Sequence, residues 1–454
     1  MKNRKHESYV RLGAGTAYEE DRRDPSRELA ASGEIDYLIF DCFSEKTLMQ
    51  AALRKQRGDI GYDRILGAKL RVVVKDCVKH GIKMIFNGGG ADVQGAAQRA
   101  AEICRDYDLR GVKIAYATGA NVFDLVKQID PIIAETGKPA SELGDDLVGG
   151  YAYQGAGPIV EGLSRGADIV ITERAGDSTQ YLGPMMYEFD WPFDDWERIG
   201  RGLGIGHLME CGGQLTGGYY AHPGIKEVPD LHRIGFPIAE VKTDGDTVIT
   251  KLPGTGGMVT EALCKEQLVY EIGDPSDYKH NDGVVDFTGT EFREVGKDRV
   301  EVTGTSGHPR PPTAKISLGV VEGYFGVGRI SYIGHAAYEK ARLAGEVVAK
   351  RMPALYGTDP SALRIDLVGV SALFPWKMDT SVLREVQLRV SGRFKTREEA
   401  ALVPYEISTL PCNGPTGVTC ARPSEHEYIE EIMGFYTTFL PHEQMSWEVH
   451  ELVS

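Results

Sequence analysis

The chain has 454 residues, 42% of them apolar and 26% charged, a balance that excludes a disordered or fibrous protein and leaves room for about two to three domains. A formal net charge of −15 works against a nucleic-acid groove, which needs a basic footprint. Seven cysteines, odd in number and nowhere spaced C-x-x-C, exclude a disulfide framework and a zinc ribbon and fit reduced thiols in a cytoplasmic protein. The N-terminus lacks an apolar h-region and no apolar run approaches ~18 residues, so neither a secretory signal nor a membrane span is expected. Glycine is abundant, 55 residues against an average share of about 7%, which implies many tight turns or close backbone approaches.

Residues 8–13, SYVRLG, predict a short strand ending in Gly13-Ala14-Gly15, a turn rather than a dinucleotide fingerprint because the third glycine is missing. The run IDYLIFD, residues 35–41, predicts a strand buried on both faces, with Asp41 at its end and Glu45 in the loop or first helical turn beyond. A crossover helix over 64–80 leads to a strand at 82–86, which empties into Asn87-Gly88-Gly89-Gly90-Ala91-Asp92. Three glycines ahead of a helix at 94–105 leave backbone amides open at a helix N-terminus, so Gly88, Gly89 and Gly90 are a candidate anion site, against the alternative of a loop that simply needs positive φ. Further strands are expected at 112–119 and in the stretch GADIVITERAGDST, where an apolar run breaks into Glu173, Arg174, Asp177 and Ser178. Downstream, GHLMECGGQLTGG sets His207 three positions before Glu210 and four before Cys211, neighbours on one helix face.

This alternation through about residue 175 predicts an α/β fold built on a largely parallel, doubly wound sheet with right-handed crossovers. Asp41, Glu45, Asn87, Asp92, Asn121, Glu173, Arg174 and Asp177 would project onto one crevice at its strand ends. From about 219 to 325 short β-rich runs alternate with Gly, Asp and Pro turns, which predicts an antiparallel insertion or second domain. A helix over 335–352 stopped by Pro353, strands at 364–370 and 385–394, a helix at 396–403 and a strand entering a Gly/Pro loop over 404–417 follow. The expected organisation is an α/β domain over 1–215, a β-rich insertion or second domain over 216–330, and a C-terminal helix with an α+β region over 331–454.

Four groups of residues could carry chemistry. Asp41 and Glu45 can divide acid and base roles if burial separates their pKa values, although such residues also cap helices or pair with a lysine such as Lys46. Arg174, beside Asp177 and Ser178, can grip a substrate carboxylate through two parallel hydrogen bonds, the alternative being a structural ion pair. His207 with Glu210 suits proton transfer and is incomplete as a metal site; Cys211 is read as packing, and His207 bound to a nearby carbonyl is the bland alternative. Gly254-Thr255-Gly256, close to Lys251, has the composition of a phosphate loop without the Walker order, and could hold the phosphates or pantetheine arm of coenzyme A.

The segments IDYLIFDCFSEKT, GIKMIFNGGGADV, GADIVITERAGDST, GHLMECGGQLTGGYY, GFPIAEV, KLPGTGGMV, KEQLVYEIGDPSDY and LPCNGPTGVTCARP, in that order, resemble the acyclic terpene utilisation (AtuA) family from about residue 9 to the end. The resemblance implies a part in bacterial catabolism of citronellol- and geraniol-type compounds, and a small ferredoxin-like module or subunit as a partner. Asp41, Glu45, Asn87, Arg174, Asp177, His207 and Glu210 match the family's pattern. Asp92-Val93 stands where the family resembles Asn-Pro, Gly119-Ala120-Asn121 replaces Gly-Asp-Asp, and Glu173 adds an acid, so the scaffold carries over while the substrate is free to differ.

The expected function is a hydratase/dehydratase or carbon–carbon lyase acting on a small, branched, carboxylated molecule, free or as its coenzyme A thioester. Arg174, Asn87, Ser178 and the glycine loops would bind it, and Asp41, Glu45, Asp177, His207 and Glu210 would move the proton. No redox cofactor is expected. One alternative is a metal-assisted hydrolase or hydratase with a divalent cation on Asp41, Glu45, Asp177 and His207; another is a non-catalytic large subunit awaiting the small partner. A homo-oligomer without nucleic-acid or membrane partners is expected.

Overall fold

A computed structural model describes residues 5–374, 377–419 and 429–454 of the chain. Strand β1 (Tyr9–Thr16) is followed by α1 (Asp24–Ser32), β2 (Tyr37–Phe40), α2 (Glu45–Gln56), α3 (Leu66–His80), β3 (Lys83–Phe86), α4 (Val93–Asp106) and β4 (Lys113–Thr118). Next come α5 (Phe123–Ile129), β5 (Leu147–Ala152), α6 (Gly157–Ser164), β6 (Ile169–Thr172), α7 (Thr179–Phe189) and α8 (Trp196–Glu210). Then β7 (Pro237–Lys242), β8 (Thr247–Lys251) and α9 (Glu261–Leu268) lead to the short strands β9 (Tyr278–Lys279), β10 (Val284–Asp286), β11 (Glu291–Gly296), β12 (Arg299–Thr303) and β13 (Ser306–His308). The chain closes with β14 (Thr313–Ile333), α10 (Ala337–Tyr356), β15 (Leu363–Val368), β16 (Glu385–Phe394), α11 (Arg397–Asn413), β17 (Val418–Thr419), β18 (Ile429–Pro441) and β19 (Glu448–Val453).

Two compact units result, Met1–Gly319 with Phe435–Ser454, and Val320–Gly434. The first is mixed α/β around a ten-stranded sheet of order β11-β12-β8-β7-β1-β2-β3-β6-β4-β19. Parallel pairing is confined to its centre, from β1 through β2, β3 and β6 to β4. On either side the pairing is antiparallel, which corrects the expectation of a largely parallel sheet. The β-rich stretch after 216 supplies four of these strands, β7, β8, β11 and β12, and its β9, β10 and β13 form a three-stranded sheet of order β13-β10-β9. A boundary at 215 would therefore separate Val241 of β7 from its partner Val10 in β1.

The central strands form because apolar residues occupy both of their faces. Leu38, Ile39 and Phe40 have no exposed surface, and Phe40 stacks on Phe86 with centroids 4.3 Å apart. Truncating such a side chain to alanine costs about 2–5 kcal/mol, which is what holds these strand ends in place under a polar crevice.

In the second unit α10 and α11 share a core with β16 built from Val348, Leu388, Val403 and Leu410. Two sequence expectations are corrected here. Helix α10 continues through Pro353 to Tyr356 and is closed by left-handed Gly357, whose N–H donates to the Pro353 carbonyl. Residues 404–413 are helix rather than strand, because Thr396 and Glu399 form a capping box and Ala400, Val403, Ile407 and Leu410 bury one helical stripe.

Candidate active site

Phe40 pairs with Phe86 and Phe86 with Ile171, so the residues after β2, β3 and β6 emerge side by side at one edge of the parallel core. Asn87, fully buried, donates from Nδ2 to Asp41 Oδ1 at 2.6 Å and accepts the Cys42 amide on Oδ1 at 2.7 Å. The Cys42 N–H can only donate, which fixes the amide orientation and aims its NH2 at Asp41.

Arg174, only 2% exposed, donates from Nη1 to Asp177 Oδ1 and, at 2.9 Å, to the Ala175 carbonyl. Its guanidinium carbon lies 4.7 Å from the centroid of the Tyr153 ring, a cation–π contact. Glu210 is the last residue of α8. It reaches the same place because α8 carries glycine where it meets the start of α7: a Cβ on Gly206 would fall 2.4 Å from the Ser178 carbonyl oxygen. Carboxylate oxygens of Asp41, Asp177 and Glu210 consequently lie within 4.8 Å of one another. The two halves of the stretch 166–218 thus meet through Asp177 and Glu210.

Three carboxyl groups beside one guanidinium cannot all ionise cheaply in a water-poor site. Burial, reinforced by the neighbouring Asp177, pushes Asp41 up to about 8 in spite of Arg174 and the Asn87 hydrogen bond. Burial, with Asp177 and Asp41 adding to it, also pushes Glu210 well above the carboxylate range. At neutral pH this cluster therefore stores protons. Cys211 Sγ, 3.2 Å from Glu210 Oε1, donates to it, and burial raises the thiol far above its ordinary value, so Cys211 is no thiolate nucleophile.

Asp177 and Glu210 form part of the wall of a cavity of about 340 Å³. Glu45 lies on the same wall, accepting a hydrogen bond from the Tyr153 hydroxyl, with Lys315 Nζ 3.7 Å away. Burial would raise Glu45, but the Tyr153 hydroxyl and the Arg174 charge outweigh it and hold this carboxylate below its usual range. Ser178, Gln154, Tyr278, His280 and Asn281 complete much of the lining. Of these, Gln154, Tyr278, His280 and Asn281, like Tyr153 and Lys315, escaped the sequence reading. The polar run Tyr278-Lys279-His280-Asn281 was the one local signal that could have drawn attention.

Several expected site residues do other work. His207 Nε2 lies 3.0 Å from the Leu268 carbonyl, and its ring packs against Tyr278 and Phe287 at 5.3 and 5.6 Å. Burial lowers its pKa, so the neutral ring donates to that carbonyl behind the cavity wall. Gly89 and Gly90 give their amides to the Thr172 and Glu173 carbonyls at 2.9 Å each, closing the proposed anion site to those donors. Gly88 packs on Cys42, whose Sγ would lie 3.1 Å from an added Cβ. In the loop of Gly254, Thr255 and Gly256, Lys251 donates to the Thr255 carbonyl at 2.9 Å and the Gly256 amide to Arg233 at 2.8 Å, and none of the three lines the cavity. Glu173 accepts the Ala120 and Asn121 amides, and Asp92 caps α4 while pairing with Lys55 at 2.8 Å.

Fold and cavity together define a mixed α/β protein with a carboxyl-lined pocket at the ends of parallel strands. Residues 10–451 match the family described as acyclic terpene utilisation family protein AtuA, and the chain belongs to that family. No curated protein and no solved structure matches it. Among the described residues no helix is long and apolar enough to cross a membrane.

Proposed function

We propose that this protein is an enzyme that moves protons within a small carboxylated molecule, as a hydratase/dehydratase or a carbon–carbon lyase. What carries this reading is the cluster of Asp41, Asp177 and Glu210 within 4.8 Å, two members of which are biased to keep their protons while Arg174 bonds the third. In the eliminating direction Asp177 takes the proton from the carbon next to the substrate carboxylate, and Glu210 delivers one to the departing hydroxyl. A C–H and a C–O bond break, a C=C bond forms and water leaves. Asp41, backed by Asn87, shares its proton with the pair and resets it. Arg174 positions Asp177 and does not grip the substrate; Lys315 beside the cavity is the cation that faces the substrate carboxylate. The context is catabolic, since the family is named for acyclic terpene utilisation.

The test is deuterium wash-in at the carbon next to the carboxylate, followed by proton NMR in heavy water with a panel of short carboxylic acids. Exchange that falls by about 10²-fold or more in Asp177→Asn, with loss of dehydration in Glu210→Gln, both folded by circular dichroism, supports the reading. Undiminished exchange in Asp177→Asn removes it.

The same three carboxyl groups favour one second reading, a divalent cation held by Asp41, Asp177 and Glu210 in a metal-assisted hydratase or hydrolase. The donor set is all oxygen, which suits a hard cation such as magnesium or calcium. Glu45 and His207, expected as ligands from sequence, are bound to Tyr153 and Leu268 instead. Elemental analysis with chelation separates the two readings: stoichiometric metal lost together with activity selects the second.

A further inference from the structure

The cavity bounded by Asp177 and Glu210 is lined predominantly by polar side chains. None of the described residues lining it is aliphatic, and its aromatic surface comes from Tyr153 and Tyr278, each with a hydroxyl. Small-molecule pockets are ordinarily lined mostly by apolar side chains with a few polar groups among them. A hydrocarbon chain placed here would desolvate carboxyl, amide and imidazole groups without replacing their hydrogen bonds, at about 1–3 kcal/mol for each group stranded.

Two wall residues also hold polar atoms without a protein partner, set back from the cavity surface. Gln154, 7% exposed, donates from Nε2 to the Thr118 carbonyl at 3.0 Å and leaves its buried Oε1 without a partner. His280 leaves a buried Nε2 without a partner, and burial lowers its pKa to about 3, so the ring is a neutral donor or acceptor. At the cavity surface the Glu45 and Asp177 carboxyl oxygens can accept further hydrogen bonds, whereas the Lys315 ammonium donates them. Hydroxyl groups do both, and a carboxylate satisfies the lysine. Size agrees: at roughly 30 Å³ for each water-sized unit, about 340 Å³ holds on the order of ten such units, comparable to a five- or six-carbon hydroxy acid. The nucleotide and pantetheine of a coenzyme A thioester would have to lie outside.

We infer that the substrate of this site is a short polyhydroxylated carboxylic acid of the sugar-acid type, rather than a branched terpenoid acid. The inference rests on the cavity being the reaction site, as proposed above. Its hydroxyls would meet Asp177, Ser178 and Tyr278, and its carboxylate Lys315.

Isothermal titration of the full chain with D-gluconate, D-galactonate, D-xylonate and L-arabinonate, set against citronellate and geranate, tests it. At least one sugar acid should bind about tenfold or more tightly than either terpenoid acid, the effect of one or two net hydrogen bonds. Ser178→Ala should weaken that binding by about three- to tenfold; if this variant misfolds, Tyr278→Phe carries the same comparison. Tighter binding of citronellate or geranate overturns the inference, and so does failure of all four sugar acids to bind. Sugar-acid binding without deuterium exchange leaves the substrate class standing and removes the proton-transfer reading. Exchange on citronellate does the reverse.

Discussion

Gly206 of α8 packs so closely on Ser178 that a methyl group on it would lie 2.4 Å from the Ser178 carbonyl oxygen and 2.7 Å from its Cα. Both are backbone atoms and cannot swing aside, so the contact sets how near α8 comes to the loop after β6. Glu210, one helical turn further on, inherits its position from it.

Gly206→Ala should therefore destabilise the protein by about 1–3 kcal/mol in urea unfolding, through overpacking, and should lower activity by displacing Glu210 from Asp177. Gly273, which has open space around its Cα, is the control: Gly273→Ala should stay within about 0.5 kcal/mol of the parent. Equal stability of the two variants would show that α8 is not seated by this contact.

Arg174→Met removes the guanidinium that bonds Asp177 and faces Asp41. The Asp177 carboxylate left behind is 35% exposed and water compensates it in part, so the cost should be about 1–3 kcal/mol rather than that of a fully buried pair. The loss should be larger at pH 8 than at pH 5, since protonation of the neighbouring carboxyl groups at lower pH relieves the repulsion Arg174 was opposing. Urea unfolding at the two pH values checks this, and a pH-independent loss would contradict it.

Asp41, raised to about 8 by burial and by Asp177, binds a proton in the folded state that the unfolded chain releases near 4. Its protonated form favours folding below pH about 4, and that contribution is lost as the pH rises toward about 8. Asp41→Asn has no such proton to lose. The stability of the parent should therefore fall relative to Asp41→Asn between about pH 4 and 8 and run parallel to it above; parallel curves across the whole range would refute the shift.

The apolar runs made β2, β3 and β6 legible, because burial on both faces leaves continuous stretches such as Tyr37–Phe40. Those strands in turn placed Asp41, Asn87 and Arg174 at one edge. Helical spacing put His207 and Glu210 together, but it could not tell which would face the crevice; Leu268, sixty-one residues from His207, supplies the carbonyl that takes the imidazole. The glycines also misled in one respect. Gly88, Gly89 and Gly90 serve close packing and strand-end hydrogen bonds, and the glycine that matters most for the acidic cluster, Gly206, lies mid-helix, where propensity argues against it. Tyr153, Gln154, Tyr278, His280 and Lys315 reach the cavity only through contacts distant in sequence, which no local pattern encodes. The return of β19 to the edge of β4 is of the same kind, joining Glu448–Val453 to Lys113–Thr118.

Carboxyl-carbon NMR titration of the full chain labelled at Asp and Glu, with assignments from Asp41→Asn and Glu210→Gln, addresses the proton-storing cluster directly. One aspartate signal titrating near 8 should vanish in Asp41→Asn, and one glutamate signal, absent in Glu210→Gln, should still report a protonated carboxyl at neutral pH. Ordinary titration of both, complete below pH about 5, would contradict the account.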